Sequence, residues 1–126
     1  MVQRSLLARI ADPRLKVYVV WGPMLGPETE ADARAATPFV PDGRATHFWT
    51  SAHTLAEQLR APAGLTDELA WDTFLLFAPG VRWGDAPPTP SRVLHVDKRL
   101  PAEQRFNGEK LAAEARRLLT LDGSTR

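Results

Sequence analysis

Two histidines, one isolated carboxylate and four tryptophans are the residues whose types and spacing point to chemistry in this chain. His47 and His53 stand six positions apart, at the end of a predicted strand and in the first turn of a predicted helix. With Asp72 or Glu57 they form a weak candidate set for zinc or iron, since imidazole and carboxylate ligands suit both metals. The spacing matches no established ligand motif, and the competing reading is that both histidines cap or lie at the surface. Asp72 falls between Trp71 and Thr73 in an otherwise apolar run. A carboxylate in such a place either sits at a pocket mouth, where desolvation raises a carboxyl pKa, or pairs with a cation, here Arg44 or Arg82. Trp21, Trp49, Trp71 and Trp83 all fall at strand ends or in loops leaving strands. With Phe48 and Phe77 they offer a lining for an apolar or thiol-bearing ligand, or else act as lids on the core.

Several chemistries are excluded. Ser51, His53 and Asp72 supply the residue types of a hydrolase triad, but no Gly-x-Ser-x-Gly elbow is present and Ser51 stands where a helix cap is expected. The loop from Gly22 to Gly26 lacks the Gly-Lys-Ser/Thr ending of a phosphate loop. The chain has no cysteine, which removes disulfide, thiolate-zinc and iron–sulfur chemistry and any cysteine nucleophile. Sixteen Lys and Arg against fifteen Asp and Glu give a net charge of +1, too little to steer the protein to nucleic acid or an anionic membrane. No run approaches the ~20 apolar residues of a membrane span, and no signal peptide is visible. A cytoplasmic protein without cofactor follows as the plain expectation.

The elements that must position these residues follow from periodicity. Val2, Leu6, Leu7 and Ile10 lie on one helical face, ending before Asp12-Pro13. Residues 15–21 are β-branched and aromatic, and predict a strand covered on both faces. Residues 28–36 predict a helix, 45–49 a short strand, and 50–60 a helix capped by Thr50 or Ser51. Ala61–Gly64 is a turn, residues 69–77 an apolar strand, and 92–96 a last strand. Asn107 caps a final helix whose inner face is Leu111, Ala115, Leu118 and Leu119. The 126 residues make one domain, 1–126, with parallel pairing first and an antiparallel pair late. The fold class is α/β, a mixed sheet with helices on both faces.

Three segments carry a family resemblance: Val17-Tyr-Val-Val-Trp-Gly-Pro-Met-Leu25, Thr46-His-Phe-Trp-Thr-Ser51, and the run from Ala70 to Trp83. Together they resemble the thioredoxin-like superfamily, in particular a TlpA/peroxiredoxin-related bacterial group. The resemblance spans residues 15–119 and implies a thioredoxin-like sheet, with Asp72 beside the place where the cysteines would be. The departures are plain. The first strand and the Cys-x-x-Cys motif are missing, residues 1–12 match the end of the first helix, and Leu69-Ala70-Trp71 stands where a cis-proline is expected. Thiol–disulfide exchange needs an attacking thiolate, which this chain does not supply.

In such a sheet the missing strand is central. Its absence leaves an open edge beside residues 17–21 or 71–77, to be closed by direct pairing of those strands, by another chain, or by residues upstream of Met1. The expectation is a cysteine-free domain that works by protein binding or self-association and is not itself an enzyme. The alternatives are the carboxy-terminal part of a thiol–disulfide oxidoreductase or peroxiredoxin-like protein, and a His/Asp metal-binding module.

Overall fold

Val17–Trp21 forms β1 because five β-branched or aromatic residues in succession favour the pleated backbone. In this computed structural model residues 2–22, 29–51, 54–65, 73–96 and 100–121 are described. The chain enters through a single π-turn, Gln3–Leu7, which buries Leu6 and Leu7. β1 leads to α1 (Glu30–Ala36), whose N-cap is Thr29. Its hydroxyl accepts from the Asp32 amide while the Asp32 carboxylate accepts from the Thr29 amide at 2.8 Å, a capping box that satisfies two terminal donors. β2 (Ala45–Trp49) returns parallel to β1, with Val17 beside Ala45 and Trp21 beside Trp49.

Helix α2 covers Thr54–Gln58 and runs into the turn expected at Ala61–Gly64, where Gly64 takes φ +79. β3 (Thr73–Leu76) and β4 (Arg92–His95) pair antiparallel, Phe74 beside Leu94 and Leu75 beside Val93. A short 3₁₀ turn, Ala102–Gln104, precedes α3 (Gly108–Thr120). The side chain of Asn107 accepts from the amides of Glu109 and Lys110, as the sequence predicts. Gly108, at the first helical position, packs closely against Ser5. A Cβ there would stand 2.7 Å from Ser5 Oγ.

The α/β class and both pairing directions hold, but the single mixed sheet does not appear. The described strands make two two-stranded sheets, β1–β2 and β3–β4, and no ladder joins them. They differ in how they are covered. Phe74, Leu76 and Leu94 turn to a core built with Leu6, Ile10, Leu111, Ala112 and Ala115, under α3 and the N-terminal turn. Leu75 and Val93 turn the other way, onto Ala63, Leu65 and Leu100. Thus β3–β4 is buried on both faces, and Phe74 stacks on Phe106 at 4.6 Å, a contact adding ~1 kcal/mol beyond its burial.

β1 was expected to be covered on both faces and is not. Val17, Val19 and Trp21 are half-buried, while Tyr18 and Val20 remain 66% and 44% exposed. The continuous apolar run that suggests a central strand serves here as a strand with one face open. No helix among the described residues is long and apolar enough to cross a membrane.

Arg44, in the turn before β2, ties the N-terminal segment to β1–β2. Its Nε donates to Asp42 at 3.0 Å, one Nη to the carbonyls of Ile10 and Asp12, and the other to Leu7 O at 2.6 Å and Asp42 at 2.9 Å. All five guanidinium N–H groups are thereby used. Arg44 holds the Asp42 carboxyl at about 2, and Arg14 does the same to Asp12. A depressed carboxyl pKa contributes stability that is complete above the ordinary value near 4 and is lost as pH falls toward 2. The urea midpoint of the native chain should therefore drop steeply between pH 4 and 2. The double variant Asp12→Asn/Asp42→Asn should start lower at pH 7 and fall less over that interval; equal slopes would remove these pairs from the acid response.

Candidate functional site

The functional candidates that the structure brings together lie at the carboxyl end of β1 and β2, beside α1. Trp21 and His47 share the half-buried face of the sheet because both occupy odd positions in strands whose pleat alternates at period two. Their rings are nearly parallel, at 13°, with centroids 6.1 Å apart. Trp21 Nε1 donates to His47 Nδ1 at 3.0 Å, and His47 Nε2 lies 3.0 Å from Val40 O. An indole N–H can only donate and a carbonyl can only accept. His47 therefore carries its proton on Nε2, donates it to Val40, and presents the Nδ1 lone pair to Trp21.

This geometry commits both nitrogens of His47. A metal at Nδ1 would displace Trp21, and one at Nε2 would displace Val40 O. Among the described residues no group of three His, Asp or Glu side chains is placed to hold a metal ion. His53, the second half of the weak metal pair, lies outside the described residues, as do Trp71 and Asp72. The cation suggested as one partner for Asp72, Arg44, has every N–H engaged elsewhere.

Trp21, His47, Phe48 and Trp49 line a shallow hollow of about 170 Å³, with Ala33, Arg34 and Thr37 of the α1 segment. Glu30 bridges Arg34 at 2.5 Å on the rim, an exposed pair worth little in stability. The hollow offers indole surface with the Glu30–Arg34 pair at its rim. Trp83 does not join it. That ring is half exposed and packs edge-on against Phe77 at 5.9 Å. Of the four tryptophans, two converge, one packs elsewhere, and one lies outside the described residues.

The opposite face of β1–β2 escaped the sequence reading. Tyr18 and Phe48 form a tilted ring pair at 6.1 Å, Phe48 is 49% exposed, and Val20 lies beside Phe48 in the register. The backbone on the outer side of β1 is also open. Val17 N donates to Arg44 O at 3.1 Å and Thr50 N to Trp21 O at 2.9 Å, so residues 17 and 21 turn their peptide groups toward β2. Strand alternation gives Val19 the same direction and turns Tyr18 and Val20 outward. No described residue hydrogen-bonds to these two from that side.

Compared with known proteins, the chain matches no protein-family model, no curated protein and no solved structure.

The Trp21–His47 bond is testable by a double-mutant cycle. Trp21→Phe removes the donor and leaves Nδ1 without one, which should cost ~1 kcal/mol beyond lost packing. Paired with His47→Leu in urea unfolding, the cycle should show a coupling of about 1 kcal/mol. A coupling near zero would detach Trp21 from His47.

Proposed function

We propose that this is a cysteine-free, thioredoxin-like α/β domain that acts by association, accepting an extended segment of polypeptide along the outer edge of β1. One observation carries the reading: Tyr18 and Val20 combine outward-facing backbone amides with side chains left 66% and 44% exposed. An added strand draws affinity from main-chain hydrogen bonds and specificity from alternate side chains. A two-stranded sheet is marginal by itself, and a third strand stabilises it. The thioredoxin-like part of the reading draws support from the parallel pair, the later antiparallel pair and the closing helix.

Sequence alone nominates Val19→Lys as the disrupting change. Val19 is on the half-buried face, so that substitution would damage packing as well as any docked strand. Val20 is the better probe. Val20→Lys places a charge on the open face, and Val20→Pro deletes an outward N–H without removing a β1–β2 bond. A fluorescein-labelled peptide of residues 15–22 should raise its anisotropy on titration with the native chain. Val20→Lys should weaken that binding at least tenfold and Val20→Pro abolish it, with circular dichroism unchanged. Absence of binding to a native chain that sediments as a monomer sinks the strand-docking reading.

A further inference from the structure

Resting on that reading, we infer that the segment docked along β1 belongs to a second copy of this chain, paired antiparallel across a two-fold axis at Val19. The argument begins with spacing. The outward-facing residues are 18 and 20, two apart, with Val19 between them facing its own β2. An antiparallel pair alternates hydrogen-bonded with non-hydrogen-bonded positions. Setting Tyr18 opposite the partner's Val20 makes each end a hydrogen-bonded pair and puts Val19 opposite the partner's Val19 as the non-bonded pair between them. The strand is thus its own complement, as an isologous two-fold contact requires.

Side chains agree with this register. Directly opposed residues share a face, so Tyr18 meets the partner's Val20 on the open side, an aromatic–β-branched pair of the favourable kind. The row then reads Phe48, Val20, the partner's Tyr18, the partner's Thr46, and its two-fold mate repeats it. The three exposed apolar residues of each copy, Tyr18, Val20 and Phe48, fall into one continuous strip. Two marginal two-stranded sheets become one sheet of four strands.

Charge does not oppose a second copy. Residues 17–21 carry no charge, so no like charges oppose one another across the junction, and the chain's net charge of +1 sets no barrier between copies.

The absence of native cysteine makes the test clean. A non-hydrogen-bonded antiparallel pair sets its Cα atoms ~4.5 Å apart, within disulfide reach, whereas residues two positions out of register exceed the ~7 Å limit. Under glutathione disulfide, Val19→Cys should form a covalent dimer. Tyr18→Cys, Val20→Cys and Thr46→Cys should each stay monomeric alone, while a mixture of the first two should cross-link. Sedimentation of the native chain should show a concentration-dependent dimer that Val20→Pro dissolves. Linkage through Tyr18→Cys or Val20→Cys with Val19→Cys silent would overturn the register. Silence of every variant, with a native chain that sediments as a monomer at ~0.5 mM, would overturn the second copy. Peptide capture would then still uphold strand docking with a different partner.

Discussion

The guanidinium of Arg44 is the point on which the two halves of this structure depend. The N-terminal turn supplies Leu6 and Ile10 to the core beneath α3, whereas β2 belongs to the other sheet. Arg44 joins them by binding the carbonyls of Leu7, Ile10 and Asp12 and the carboxylate of Asp42 at once. Leu7 O ends the N-terminal turn, where partial negative charge favours a cation. The side chain is only 15% exposed, so its charge needs full compensation, and the five acceptors provide it. Lysine would present three donors from a point charge and could not reach the same fan of acceptors.

With that tie in place, the sheets divide the work. β3–β4 is covered above and below, and Leu94 and His95 in it are fully buried. β1–β2 is held at one end by Val17 packing against the main core and at its turn by Arg44. Its carboxyl end is braced by Trp21, His47 and Val40. Val17, Trp21 and His47 all lie on one side of the sheet, opposite the exposed Tyr18–Phe48 face. Association at the outer β1 edge costs little conformational freedom, because the strand is already extended and fixed.

Much of this order was legible from residues. The short strand at 45–49, the Asn107 cap and the Leu111–Ala115–Leu118 stripe all reappear where the sequence puts them. Reading failed where burial depends on distant chain. Val17–Trp21 is apolar at nearly every position, and such a run cannot reveal which face another element will cover. The site followed the same division. Trp21 and Trp49 were marked as strand-end aromatics and do converge on the hollow. The Trp21–His47–Val40 relay was invisible, because its three members are 26 and 7 positions apart and become neighbours only through the parallel register. The Asp42–Arg44 pair is local, but its reach to Leu7 and Ile10 spans 37 and 34 positions.

The same relay bears on what kind of protein this is. With both nitrogens engaged, His47 holds two neighbours in place, the Trp21 indole and the Val40 carbonyl. His47 thereby positions Trp21 at the carboxyl end of β1. Trp21 in turn is the last residue of β1, the strand whose outer edge is open. The relay braces the end of that strand, while pairing with β2 sets Tyr18 and Val20, and not Val19, to turn their peptide groups outward. The chemistry that sequence suggests for His47 is in this way converted into the geometry of an edge: the imidazole orders the strand, and the strand offers its backbone.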